Sequence, residues 1–335
     1  WDSLPDEDLG QAAAAGRLRT AVQIRQQALR MIADPRTRAK IRNVMHHWLG
    51  LKHAEEIAKD TEIFPEYDKS LEADLRTSLN IFLDEIVWQN AGADFRTLFS
   101  ANHLPMNTRL ARLYGARHHG TPPGFSPASF TGQKRAGLLT HPYLLMLYSY
   151  HNSTSPIHRG VFVTRHLLGR SLKPPPEAVV FKDEEFPANL TMREKVTQLT
   201  KADACMTCHS IINPLGFSLE QFDSIGRRRD TEKGKPIRTA SDYLTADGSP
   251  IHISGPSDLA HHAIQNPRAH EGFVEMLFNQ VAKQPIRAYG SGVLNRLRND
   301  FAQARFNIQF LLAETVVIAA LQGVKRPGPT GEKQP

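Results

Sequence analysis

Cys205, Cys208 and His209 stand in the order Cys-x-x-Cys-His, and the two thiols are the only ones among 335 residues. Thiols about one helical turn apart can add to the two vinyl groups of a porphyrin. An imidazole directly behind the second thiol is then placed beneath the iron as its proximal ligand. The pattern therefore points to one covalent haem c, tethered by Cys205 and Cys208 and ligated by His209. Two other chemistries use paired thiols. A thioredoxin-like redox pair follows a strand inside a βαβ frame, whereas TMREKVTQLTKADA, just before Cys205, reads as a polar helix. A structural zinc site needs two further ligands, normally another close pair. His252, His261, His262 and His270 have spacings that match neither a ribbon nor a finger.

The residues after the motif extend the candidate site. Ile211 and Ile212 suit a porphyrin face, and Asn213-Pro214-Leu215-Gly216 reads as a turn that brings a backbone carbonyl to the Nδ1 hydrogen of His209. Pro214 and Phe217 are taken as cofactor contacts. Phe217, Leu219 and Phe222 fit ordinary helix core as well as a pocket wall. Arg227, Arg228 and Arg229 suit haem propionates or a solvated basic surface equally well. The pairs His46-His47, His118-His119 and His261-His262 are sequence neighbours, about 100° apart on a helix, and chelate one metal poorly. The chain has no Gly-x-Ser-x-Gly, phosphate loop or His-Glu-x-x-His.

The elements that must position this motif read as mainly α. In EYDKSLEADLRTSLNIFLDEIVWQN, residues Leu71, Leu75, Leu79, Phe82 and Ile86 recur at three and four and form one stripe. TAVQIRQQALRMIADP carries Val22, Ile24, Leu29 and Ile32 and stops at Pro35, which opens the next helix, PRTRAKIRNVMHHWLG. Near the end, Ile308, Leu311, Leu312, Thr315, Val316 and Ala319 form another face. Strand signals are short, the best being a turn and hairpin in DGSPIHISG at 247–255. Proline and glycine divide the chain at 116–135 and 169–190, giving a helical N-terminal unit at 1–120, a haem unit at 135–240 and a helical C-terminal unit at 241–325. The last of these is expected to complete the haem pocket, and the tail KRPGPTGEKQP is expected to be disordered.

Composition sets outer limits. Hydrophobic residues at 40% and charged residues at 22% are ordinary for a globular chain. The apolar stretch FNIQFLLAETVVIAAL is broken by Asn307, Gln309 and Glu314, short of the roughly 18 apolar residues a bilayer span needs. The net charge of +7 is spread along the chain without a Lys/Arg stripe interleaved with aromatics. Nucleic acid is thus unsupported, and an acidic protein partner suits the charge. The opening WDSLPDEDLG is not a secretory leader, so a targeting segment has been removed or the chain is part of something longer.

ACMTCHSIINPLGFSLEQFDSIGRRR resembles the haem segment of planctomycete-type cytochrome-c-like domain proteins. WDSLPDEDL, RMIADPRTRAKIRNVMHHWLGL, LFSANHLPMNTRLARLYG, RAGLLTHPYLL, TSPIHRGVFVTRHLLG, PPP and TMREK follow in that family's order, so the likeness runs from residue 1 to about 320. It implies an exported, haem-bearing protein with further domains before Trp1, and it supplies no reaction. Relatives often carry cysteine where Met276 stands, and a second one beyond. With no such thiols here, packing alone must hold the C-terminal part.

The sixth iron ligand decides the chemistry, because a saturated iron favours electron transfer and an open one admits peroxide or a small gas. Met276 lies 67 residues after His209, resembling the spacing in small class I cytochromes c. It fits equally as core beside Phe273, Leu277 and Val281. Met192, His252 and His262 are the other candidates, and Met206, between the thioether positions, is excluded. The expectation is a periplasmic or surface-exposed mono-haem electron carrier with a protein redox partner. A peroxidase-type haem enzyme and a scaffold subunit of a larger complex, stapled by haem, are the alternatives.

Overall fold

The computed structural model describes residues 1–51, 57–88, 93–118, 124–132, 135–173 and 181–322. The expected disordered tail, His119 and the central part of the 169–190 connector lie outside the described residues. Among the described residues the chain is mainly α. The helices are α1 (Glu7–Ala14), α2 (Ala21–Ile32), α3 (Pro35–Trp48), α4 (Lys69–Trp88), α5 (Thr97–Ser100), α6 (Thr108–Leu113), α7 (Pro142–Leu147), α8 (Pro156–Phe162), α9 (Met192–Leu199), α10 (Asp203–Phe217), α11 (Pro256–Gln265), α12 (Pro267–Ala282), α13 (Val293–Gln303) and α14 (Ile308–Gln322). The short strands are β1 (His103–Met106), β2 (Arg117–His118), β3 (Ser126–Ser129), β4 (Thr231–Glu232), β5 (Lys235–Pro236), β6 (Ser241–Leu244) and β7 (Pro250–Ile253).

Two compact units gather these elements. Unit I is Trp1–Met45, Val87–Phe95 and Phe273–Pro335, and unit II is His46–Ile86 and Arg96–Gly272. The segments 1–120, 135–240 and 241–325 follow the chain, whereas the units collect stretches far apart in sequence.

In unit I, α14 returns to pack on α2. A capping box between Thr20 and Gln23 starts α2, and Ile24, Ala28 and Ile32, four residues apart, form its buried stripe. Val22 and Leu29, expected on that stripe, are exposed. At 100° per residue they point well away from Ile24. Val316 of α14 is likewise exposed, and Val317 and Ile318 are buried in its place. Arg25 grips Glu314 with Nε and with Nη2, the latter at 2.9 Å. The rings of Phe95, Phe273, Phe301 and Phe306 form a chain of contacts with centroids 4.4 to 6.2 Å apart.

In unit II, the α4 stripe is as expected, with Leu71, Leu75, Leu79, Phe82 and Ile86 all buried. Strands β1, β3 and β2 form one antiparallel sheet, in that order. Two of them lie in 116–135, so this proline- and glycine-rich stretch carries structure rather than only separating units. The expected hairpin pairs β6 with β7 across the Asp247-Gly248 turn, Tyr243 opposite Ile251.

The principal helix contact in unit II is α8 against α10. A Cβ on Gly160 would come within 2.2 Å of the Ile212 carbonyl oxygen, and one on Gly216 within 1.9 Å of that of Pro156. Pro156 meets Gly216 and Gly160 meets Ile212, so the two helices run antiparallel with their backbones touching. Gly216→Ala and Gly160→Ala should each lower the unfolding free energy by about 2 kcal/mol, because neither carbonyl can retreat. Gly10→Ala, on the exposed side of α1 with nothing within 4 Å, should instead raise it by up to roughly 1 kcal/mol. Chemical denaturation of the three variants checks both signs.

His141, fully buried, caps α7 by accepting a hydrogen bond at Nδ1 from the Tyr143 N–H, 3.3 Å away. Burial, helped by the Arg135 charge, pushes its pKa down to about 3 from 6.5. The folded protein therefore refuses a proton that the unfolded chain accepts below pH 6.5. Stability is complete above that pH and is lost as pH falls from about 6.5 towards 3, at a limiting slope of about 1.4 kcal/mol per pH unit. Denaturant midpoints measured between pH 6.5 and 4.5 should fall less steeply in His141→Gln than in the parent.

Candidate functional site

Helix α10 carries the motif. At 100° per residue, Cys205, Cys208 and His209 share an arc of about 100° on one side of the helix. All three are half-buried, and both thiols are free. The helix has two distinct parts, since residues 203–211 are exposed or half-buried and Ile212 to Phe217 are all buried. Its buried end is clamped by α8 through Gly160 and Gly216, and the π-turn Val163–Leu167 that continues α8 also touches α10.

The segment 213–216 is not a turn. It continues α10, with Pro214 inside the helix. The carbonyl expected for His209 is accordingly replaced by a side chain, as Nδ1 of His209 lies 3.0 Å from Asn213 Oδ1, one helical turn on. The Asn213 amide donates from Nδ2 to Thr200 Oγ1 at 2.9 Å, and that hydroxyl donates to the Val196 carbonyl at 2.8 Å. Asn213 and Thr200 are buried, and Thr200 is the C-cap of α9. The preceding element is thus a helix, started by a Thr191/Glu194 capping box. Asn213 and Thr200 were not singled out as partners in the sequence, although an amide four residues after a helical histidine is a readable signal.

The other expected contacts are placed as follows. Pro214 is buried beside the α8 crossing. Phe217 lies eight residues beyond His209, about 12 Å along the axis, and the Arg193 guanidinium covers its ring at 4.4 Å. Met276 lies on α12 in unit I and is half-buried. In unit II, Met192 is buried at the start of α9, His252 pairs on the surface with Asp242 at 2.8 Å, and His262 meets the Tyr243 ring edge-on. Each of the three arginines after the motif already has a carboxylate. Arg227 binds Asp223 and Glu66, Arg228 binds Asp230, and Arg229 reaches Glu220 and Glu232. A cavity of about 600 Å³ beside α9 is lined by Arg193, Glu194, Glu220, Glu232, Lys235 and Arg238 among others, and by none of the motif residues.

Arg159 anchors the segment that follows α10. It is 1% exposed. It donates to the carbonyls of Leu145, Leu219, Phe222 and Asp223 and to Ser149 Oγ, and it pairs with buried Glu220 at 3.5 Å. Burial lowers its pKa to about 10, leaving it charged at neutral pH, and pushes the Glu220 carboxyl up. Asp223 then holds the turn, accepting from the N–H groups of Ile225 and Arg227. Arg159→Met should cost about 3–5 kcal/mol by stripping several buried carbonyls of their donor and removing the buried cation beside Glu220, which would keep only Arg229 and the Thr154 hydroxyl. Arg159→Lys should recover little of it, because one ammonium cannot span the fork's acceptors. Urea unfolding of both variants measures this.

The donor set fits a covalently attached haem. Two free thiols share a helix face with an imidazole whose Nδ1 is occupied and whose Nε2 has no hydrogen bond among the described residues. Among the described residues no group of three or more His, Cys, Asp or Glu is arranged to hold a bare metal ion, and no helix is long and apolar enough to cross a membrane. No curated protein and no solved structure matches the chain. Residues 1–116 match the family model described as PSD4, Protein of unknown function (DUF1592). Residues 135–232, which include the whole of α10 and the arginine turn after it, match PSCyt3, Protein of unknown function (DUF1588), a domain that is cytochrome-c-like by name.

Proposed function

We propose that the chain is a c-type cytochrome that carries one covalent haem and transfers electrons. The observation that carries this reading is the shared helix face of Cys205, Cys208 and His209, with the His209 ring already held through Nδ1 so that Nε2 is left for iron. Haem c, so bound, would supply a one-electron redox centre. The two cysteines tether it, His209 ligates it, and the α8–α10 crossing fixes the helix that bears all three. Pro214 and Phe217 are proposed as further contacts and Met276 as the sixth ligand, the last on its spacing from His209 alone. Attachment of this type is made outside the cytoplasm, which implies a periplasmic or surface location. The net charge of +7 suits an acidic redox partner.

Expression in a host able to form haem thioethers tests the proposal. The purified chain should show a Soret band and the mass of chain plus one haem, retained on denaturation. Cys205→Ala and Cys208→Ala should each leave a single thioether, and the double variant none. A chain that keeps its bare mass and lacks the band in such a host overturns the reading. A reduced low-spin spectrum unchanged by carbon monoxide supports electron transfer. Ready binding of carbon monoxide to high-spin iron supports the peroxidase-type alternative instead.

A further inference from the structure

We propose that Thr200 is a positioning residue that sets the tautomer of His209, acting through Asn213. A backbone carbonyl can only accept, so the Thr200 hydroxyl hydrogen is spent on Val196. Towards Asn213 the Thr200 oxygen can then only accept, which obliges the amide to present its NH₂ to Thr200 and its oxygen to His209. An amide oxygen cannot donate. His209 must therefore carry its proton on Nδ1 and keep the Nε2 lone pair free. Direction passes from the C-terminal carbonyls of α9, through two buried side chains, to the exposed half of α10. Reversing both links would turn the Thr200 hydroxyl hydrogen towards Asn213 and leave its oxygen 2.8 Å from the Val196 carbonyl oxygen with no hydrogen between them, the carbonyl then keeping only the Thr200 N–H.

The tautomer holds for the bare chain. Its effect on iron rests on the haem reading above, where a ring donating at Nδ1 is the stronger ligand at Nε2. The strength is graded by the acceptor. A neutral amide lends the ring less anionic character than a carboxylate would, so Asn213 places His209 between an unsupported imidazole and a carboxylate-bound one.

Four variants of the full chain test this: Thr200→Val, Thr200→Ser, Asn213→Leu and Asn213→Asp. If the chain carries haem, exchange of the His209 Nδ1 hydrogen should be at least about fivefold faster in Thr200→Val and Asn213→Leu. Thr200→Ser should match the parent. The midpoint potential should rise in Asn213→Leu and fall in Asn213→Asp, opposite shifts that simple loosening of the fold does not produce. If the chain carries no haem, nitrogen-15 chemical shifts of His209 above pH 8 should show the Nδ1-protonated form dominant in the parent and Thr200→Ser. In Thr200→Val its ratio to the other tautomer should fall at least about fivefold. An Nε2-protonated parent, equal exchange in the valine and serine variants, or potentials that shift in the same direction in Asn213→Leu and Asn213→Asp overturns the proposal. The absence of haem alone overturns only the functional reading.

Discussion

Unit II depends on one close approach. Where α8 crosses α10 the helices touch backbone to backbone, with the α-carbon of Gly216 against the Pro156 carbonyl and that of Gly160 against Ile212. Contact this close is open only to residues without a Cβ, and it fixes two helices more firmly than side chains interlocked across a gap of 8–10 Å. What makes the crossing matter is its place along α10. It holds the buried half, Ile212 to Phe217, and leaves the half with both thiols and His209 projecting with a free side. The motif is thus carried on a rigid element yet not covered by it, which is the arrangement the proposed haem would need.

Around the crossing, polar groups do the work that apolar packing does elsewhere. Arg159 starts on α8 and collects carbonyls from the end of α7 and from the chain just after α10. Arg135 does the same for the Thr140 and Gly226 carbonyls, lying over Phe222 at 4.6 Å and Phe130 at 4.7 Å. Both guanidiniums are buried, and both have pKa values lowered by burial to about 10. Removing either would strand several acceptors at once, so the segment after the motif, Gln221 to Arg229, has one arrangement rather than several. That segment is where basic residues read most naturally as ligands for anionic groups. In the fold they are consumed by its own carboxylates.

The division between what could and could not be read follows from locality. The stripe of α4, the helix opened by Pro35 and the β6–β7 hairpin depend on periodicity and turn residues within a few positions, and these were legible. So was the motif, because Cys-x-x-Cys-His needs only its own spacing to lie on one face. Val22 and Leu29 misled because apolar residues at loose helical spacing do not say which side faces a partner; α14, nearly 300 residues away, decides it. Asn213-Pro214-Leu215-Gly216 has the composition of a turn, and local preference alone would make it one. Packing against α8 overrides that preference, since the crossing needs Gly216 in helical backbone. The partners of Arg227 and Arg229 include Glu66 and Glu220, which no spacing rule connects to them.

Proline inside α10 explains why the His209–Asn213 bond is needed. Pro214 has no N–H, so the Ser210 carbonyl receives no helical hydrogen bond from it, and the backbone ladder is interrupted between the motif half and the anchored half. The side-chain bond from His209 to Asn213 spans this same turn. It ties the projecting half to a residue that is itself bonded to Thr200 on α9. The ring is thereby referred to the buried framework by a route independent of the weakened ladder, and its orientation follows α9 as well as its own helix. A helix left only with its interrupted ladder would let the imidazole turn with local bending. The amide tie converts that freedom into a fixed direction for Nε2, the atom proposed to meet iron.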